Sequence, residues 1–258
     1  MLVYDIYGNG PPLLLLHGFT GSAEEWLPLR PYWADVRTLI APDLIGHGRS
    51  PAPTDASCYT MERCVSDLLA LLDHLGLAQV DVLGYSMGGR VALQLAAAAP
   101  KRVQRMILES ASPGLATTEE RAARSASDHA LAEAIERNGL AWFVDYWAAL
   151  PLFASQASLP TTQRAQLSAR RLRGSPHGYA NSLRGMGTGQ QSSLWEQLST
   201  MLHPTLLISG ALDHKFVALN QAMARQLPNA SHGIIAHAGH TVHLEQPEAF
   251  AQAVRRFL

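Results

Sequence analysis

Val80-Asp81-Val82-Leu83-Gly84-Tyr85-Ser86-Met87-Gly88-Gly89-Arg90 is the stretch that decides how this 258-residue chain reads. The apolar run Val80–Gly84 predicts a strand, and Met87–Ala99, closed by Pro100, predicts a helix. Between them, Gly84-x-Ser86-x-Gly88 fits a turn that holds a serine in a strained conformation with its Oγ exposed. The same alternation continues outward. Leu2–Tyr7 and Leu13–Leu16 predict strands on either side of the turn Gly8-Asn9-Gly10-Pro11-Pro12, and Arg37–Pro42 predicts another. Met61–Leu75 has helical spacing, with Cys64, Leu68, Leu71, Leu72 and Leu75 on one face. Val103–Glu109, Thr205–Ser209 and Gly233–Ala236 complete the predicted strands, and Pro247–Leu258 forms a terminal helix. Strands alternating with helices predict an α/β architecture, a mostly parallel sheet covered on both faces.

Residues 112–195 break the rhythm with helical patterns and polar loops but no strand, so they are expected to form a helical cap over a core of residues 1–111 and 196–258. The cap carries eight Arg against six acidic residues and is mildly basic, while the whole chain has a formal net charge of −1. That balance argues against wrapping nucleic acid or anionic lipid. No apolar run approaches the ~18 residues of a membrane span. Two cysteines, Cys58 and Cys64, are too few for a disulfide scaffold and point to a reducing, cytoplasmic setting. No metal or nucleotide motif is present, and no cofactor is implied. Lys occurs only at Lys101 and Lys215, so the chain relies on Arg, the residue of planar carboxylate recognition. The alternative reading of that bias is a GC-rich genome, which favours Arg codons.

An exposed serine needs a base and a place for developing negative charge. His17-Gly18-Phe19 directly follows the strand Leu13–Leu16, and in such a sheet this loop lies beside the serine turn. The N–H groups of Phe19 and Met87 can then point at an oxyanion, with His17 bracing the loop. In sheets carrying this turn the acid precedes the histidine along the chain. That order favours His240, on the glycine-bearing loop Ala238-Gly239-His240-Thr241, with His243 packing beneath it. Asp213, after Ser209-Gly210-Ala211-Leu212, is the expected acid, and Glu109, at the end of Val103–Leu108, competes for the role. Arg90, four residues after Ser86, leans back toward it from the first turn of the helix. A cation there opposes the helix dipole at roughly 0.3–1 kcal/mol, which suggests a task such as holding a carboxylate. A salt bridge to a neighbouring acid is the alternative. Arg121 and Arg124 follow a capping box, Thr117-x-x-Glu120, and Arg124 has Glu120 and Asp128 at pairing distance along a helix. Trp142, Phe143, Tyr146 and Trp147 recur at helical spacing, and most of them are expected to build the cap's own core.

Together these residues resemble the α/β-hydrolase superfamily along essentially the whole chain. The matching segments include Asp43-Leu44-Ile45-Gly46-His47-Gly48-Arg49-Ser50 and His243-Leu244-Glu245-Gln246-Pro247. Glu109-Ser110-Ala111-Ser112-Pro113-Gly114-Leu115, Glu120-Arg121-Ala122-Ala123-Arg124 and Pro151-Leu152-Phe153-Ala154 resemble one subfamily, the 2-succinyl-6-hydroxy-2,4-cyclohexadiene-1-carboxylate synthases of menaquinone (vitamin K2) biosynthesis. The resemblance implies a lyase that eliminates pyruvate from an anionic enolpyruvyl-cyclohexene carboxylate. It implies Ser86, Asp213 and His240 as a catalytic triad acting as base, and Phe19 and Met87 as oxyanion hole. It further implies Tyr85, Arg90, Arg124, Arg173, Trp147 and Phe153 as substrate contacts. Arg170 and Arg171 lie close enough to Arg173 to compete for its place. An ordinary serine hydrolase, a carboxylesterase or C–C bond hydrolase, is the alternative; a binding protein on a retired scaffold fits an intact triad poorly. The sequence leaves the oligomeric state open and is compatible with a monomer.

Overall fold

The computed structural model describes residues 1–258. Its centre is a seven-stranded sheet of β1 (Tyr4–Tyr7), β2 (Pro12–Leu16), β3 (Thr38–Pro42), β4 (Val80–Tyr85), β5 (Val103–Glu109), β6 (Thr205–Gly210) and β7 (Ala230–Ile235), in the spatial order β1-β3-β2-β4-β5-β6-β7. Only β1 is antiparallel; every other neighbouring pair is parallel. β4 and β6 are buried along their whole length, which is why they read as predominantly apolar runs rather than alternating ones. The one charged residue inside β4, Asp81, is met at 2.8 Å by Arg37.

Helices α1 (Arg30–Trp33), α2 (Met61–His74) and α3 (Met87–Ala98) lie within the first half of the sheet's connections. Thr60 starts α2 by accepting the Arg63 N–H, and Cys64, Leu68, Leu71 and Leu72 form its buried stripe. Between β5 and β6 the chain leaves the sheet for α4 (Thr118–Ala148), a 3-10 segment Pro151–Ser158, α5 (Thr161–Leu172) and α6 (Pro176–Met186). The capping box of Thr117 and Glu120 begins α4, and Gly139, at φ 81°, kinks it. α7 (His214–Gln226), α8 (Val242–Glu245) and α9 (Pro247–Phe257) finish the chain. One apolar core, with Leu68, Val91 and Leu207, fills one face of the sheet; another, with Trp33, Leu83 and Phe250, fills the opposite face. No helix is long and apolar enough to cross a membrane.

Three predicted boundaries shift for physical reasons. Arg37 lies outside β3 because its N–H closes the preceding turn on the Trp33 carbonyl at 2.9 Å, and the ladder to β2 begins at Thr38. Leu2 and Val3 precede β1; Leu2 packs into the core and the Val3 N–H donates to Ser50 Oγ. β7 begins at Ala230, three residues before the predicted Gly233, and ends at Ile235. It is an edge strand in which Ser231 and His232 pair with Leu206 and Leu207, so its polar first half hid it.

Candidate active site

The parallel strands all deliver their carboxyl ends to one edge of the sheet, the place where such folds gather functional loops. At the end of β4, Ser86 has φ 49° and ψ −105°, a conformation that costs a non-glycine residue on the order of 1–3 kcal/mol. Gly88 is required there by crowding rather than by rotation. A Cβ on it would lie 2.1 Å from the Leu16 carbonyl oxygen, so only glycine lets the helix start against β2. The strained turn is pinned by the Ser86 N–H donating to the Glu109 carbonyl at 2.8 Å.

His240, on the loop after β7, places Nε2 3.0 Å from Ser86 Oγ and Nδ1 2.7 Å from Asp213 Oδ2. Asp213 also starts α7 by accepting the Phe216 N–H, and the Phe216 ring packs edge-on against His240 at 4.6 Å. Glu245 holds the loop on both sides of the histidine, accepting the Gly239 N–H at 2.8 Å and the Thr241 N–H at 3.2 Å. Glu109 takes no part in this array. It faces His243, 2.8 Å away, and that contact keeps it from His240.

The loop after β2 brings Phe19 to the same edge. His17 accepts the Leu44 N–H through Nε2 and donates from Nδ1 to the Gly18 carbonyl, as a brace should. The N–H groups of Phe19 and Met87 donate to no other protein group, and both residues line the cavity above Ser86. This cavity, about 240 Å³, is walled by Trp147, Leu152, Phe153 and Leu183 with Ser86 and His240 at its floor. Tyr85 contributes its ring while its hydroxyl is engaged with Thr241 Oγ1 at 2.8 Å.

Three cations, Arg90, Arg124 and Lys215, line the cavity, and no carboxylate does. Arg90 forms no salt bridge. It donates to the Met186 carbonyl and Gln191 Oε1, both neutral, and Asp128 offsets its charge only from beyond hydrogen-bond distance. Burial, aided by the nearby Arg124 charge, pulls it down to about 10, still protonated at neutral pH. Arg124 donates from Nε to Asp128 Oδ1 at 2.8 Å, while its two terminal nitrogens have no protein partner. Its expected second partner, Glu120, instead accepts the Thr117 N–H in the capping box. Arg121 is turned away, onto the Leu115 and Ala116 carbonyls.

Arg173 does not reach this cavity. It follows the end of α5, is largely exposed and pairs with Glu24. The arginine that turns inward is Arg171, only 5% exposed, set over the Phe153 ring at 5.6 Å and forming neither a salt bridge nor a side-chain hydrogen bond. It lines a small side pocket that shares Phe19, Tyr85 and Phe153 with the main cavity. Burial lowers its affinity for its proton, and the Tyr85 and Glu25 environments offset this in part. Trp142 and Tyr146 also depart from expectation. They are exposed and stack on each other, and the small apolar core between α4 and α6 is built from Phe143, Tyr179, Ala132 and Ile135. The sequence pattern assigns no role to Lys215, Phe216 or Glu245, although Lys215 is one of only two lysines in the chain and stands two residues after Asp213.

The model of the α/β hydrolase fold family matches residues 11–247. A Bacillus subtilis protein, provisionally named 2-succinyl-6-hydroxy-2,4-cyclohexadiene-1-carboxylate synthase, is 45% identical across 99% of this chain and 94% of its own. A Serratia proteamaculans protein with that name is 34% identical across 96% of this chain and 93% of its own. Among solved structures, MenH from S. aureus superposes with a TM-score of 0.95 at 34% identity, covering 99% of this chain and 97% of that one. A malate-bound thermophilic esterase from Thermogutta terrifontis gives 0.89 at 29% identity, covering 99% and 92%.

Proposed function

The chain belongs to the α/β hydrolase fold family and, within it, to the 2-succinyl-6-hydroxy-2,4-cyclohexadiene-1-carboxylate synthases, and from that membership we propose how it works as a carbon–oxygen lyase of menaquinone biosynthesis. Its substrate is a cyclohexene carrying a carboxylate, a succinyl chain and an enolpyruvyl ether. The Ser86–His240 pair acts as the base. It takes the ring proton made acidic by the succinyl ketone, and the ketone oxygen carries the charge against the Phe19 and Met87 N–H groups. The electron pair then moves through the ring double bond, the ether C–O bond breaks and pyruvate departs with the proton returned to it. A second ring double bond is formed, and Ser86 makes no bond to carbon. Asp213 fixes the imidazole tautomer and orientation.

The observation that carries this reading is the wall of the cavity, which holds three cations and no carboxylate above the Ser86–His240 pair. Arg90, Arg124 and Lys215 hold the substrate's carboxylates, Arg171 supplies a further charge from the side pocket, and Trp147, Phe153 and Tyr85 contact the ring. Coupled to lactate dehydrogenase, the enzyme should release one pyruvate per ring product from the enolpyruvyl substrate, and Ser86→Ala should lower that rate by orders of magnitude. Absence of pyruvate release by the unaltered enzyme overturns the proposal.

One observation favours a second reading, a serine hydrolase. Ser86 Oγ already sits 3.0 Å from His240 Nε2 with two free amides beside it, the arrangement needed for acyl transfer. That reading requires an acyl-Ser86 during turnover, and intact-protein mass spectrometry distinguishes the two.

A further inference from the structure

Beneath the Ser86–His240 pair lies a second buried array that the reaction does not use. His243, in α8, donates its backbone N–H to Glu109 Oε1 at 3.0 Å and sets its ring Nδ1 2.8 Å from Glu109 Oε2. Its Nε2 faces Glu25 Oε1 at 3.5 Å, an ion-pair separation too long for a good hydrogen bond. The Glu109 side chain is fully buried, His243 is 2% exposed and Glu25 is 11% exposed. Trp26 and Tyr85 close over the imidazole, with ring centroids 5.0 and 4.9 Å away, and Phe250 lies at 5.9 Å.

Stability alone does not account for two carboxylates and an imidazole in this position. Replacing a buried ion pair by apolar side chains of similar volume is often neutral or stabilising. What distinguishes the array is the set of segments it joins. Glu109, paired with Tyr85 in the β4–β5 ladder, accepts the Ser86 N–H on its carbonyl, so its residue holds the nucleophile's turn. His243 stands three residues after His240 at the end of the same loop. Glu25 accepts the Gly18 N–H at 3.2 Å, immediately before Phe19. One buried cluster therefore touches the backbone of the nucleophile, the base loop and the oxyanion loop.

We propose that Glu25, His243 and Glu109 form a charged brace that fixes Ser86, His240 and the Phe19 N–H relative to one another, and that all three are positioning residues for the reaction. The inference rests on reading Ser86 and His240 as the reacting pair. The charge states agree with the geometry. Burial would lower the His243 pKa, but Glu109 and then Glu25 outweigh it and raise it to about 10. Burial would likewise raise Glu25, and His243 holds it below the usual carboxylate range instead. The titratable or charged groups around the ring are Glu109 from β5, Glu25 from the 3-10 segment Ala23–Leu29, and Tyr85 from β4, with His17 and Arg170 acting on Glu25.

The test uses Glu25→Gln, Glu109→Gln and His243→Gln in the full chain. The kinetics of pyruvate release are read beside the rate at which a fluorophosphonate inactivates Ser86. In that probe reaction Ser86 Oγ bonds to phosphorus, fluoride leaves and the hydroxyl proton passes to His240, so it reports alignment independently of the natural substrate. Misplacement by about 1 Å costs on the order of a hundredfold in rate. Each folded variant should therefore lose about tenfold or more in kcat with KM within about twofold, and fluorophosphonate inactivation should slow by a similar factor. Variants with lowered melting temperatures but unchanged kcat and inactivation rates overturn the brace. A wild-type protein that resists the fluorophosphonate sinks the reading of Ser86 instead. Should the Glu109 and His243 variants not fold, the nearly isosteric Glu25→Gln decides. On the unaltered protein, 15N NMR should show both His243 nitrogens protonated at pH 8, and a neutral His243 ring there contradicts the proposal.

Discussion

Replacing Arg124 by alanine separates its two contacts. Nε is tied to Asp128 at 2.8 Å, whereas the terminal nitrogens are free at the wall of the cavity. If those nitrogens hold a substrate carboxylate, the loss is that of charge-assisted hydrogen bonds, about 2–3 kcal/mol. At 1.36 kcal/mol per decade, kcat/KM falls about 30- to 150-fold. Stability responds less, because the Arg124 side chain is 44% exposed and such a pair is worth at most about 1 kcal/mol after screening. Its pH dependence has a definite sign. Burial already pushes the Asp128 pKa up, opposed by Arg124, and removing Arg124 raises it further. A carboxyl whose folded pKa exceeds its unfolded one favours folding less as pH rises, so the melting deficit of Arg124→Ala should be larger at pH 8 than at pH 5. Arg124→Lys should recover only part of kcat/KM, since an ammonium cannot supply two planar contacts. Steady-state kinetics and melts of both variants give the answer. A kcat/KM within twofold of wild type, with the melt shifted as described, refutes the carboxylate clamp and leaves Arg124 a helix ion pair.

Asp213→Asn and His240→Ala should each lower turnover by orders of magnitude while preserving the fold, measured by pyruvate release beside circular dichroism. Arg171→Met should raise the melting temperature, because it removes a buried cation with no partner at a relief of about 1–3 kcal/mol, while lowering kcat/KM. A loss of both would mean that Arg171 serves packing alone. Because the folded His243 pKa is raised to about 10 from 6.5, its stabilising contribution is complete below pH 6.5 and is lost as pH rises toward 10. Thermal melts across that interval should fall more steeply for wild type than for His243→Gln.

The interior of the sheet was legible because buried parallel strands are largely apolar runs, as in Leu13–Leu16 and Leu206–Ile208. The edge was less so, since β7 spends its first residues on Ser231 and His232. The serine turn, with its helix and strand, is local in sequence and could be read directly, and chain order then led from it to Asp213 and His240. Partner choice among charges is not local. Whether Glu109 meets His240 or His243, and whether Arg171 or Arg173 turns inward, depends on the phase at the end of α5 and on loops distant in sequence. α5 buries no residue but Arg171, so it offers no apolar stripe to set that phase. Trp142 and Tyr146 form one i,i+4 pair and Phe143 and Trp147 another about 100° further round the same helix, and only the contacts across to α6 decide which pair is buried. Lys215 carried a compositional signal, but only the fold brings it to the cavity.

The central claim, elimination without an acyl-enzyme, is tested most directly by turnover in H₂¹⁸O followed by mass analysis of the small acid released. The account predicts pyruvate as that acid, a ring product whose carboxylates contain no ¹⁸O, and Ser86 of unmodified mass throughout. Release of succinate carrying ¹⁸O in its carboxylate, or an acyl adduct on Ser86, would contradict it and identify a hydrolase.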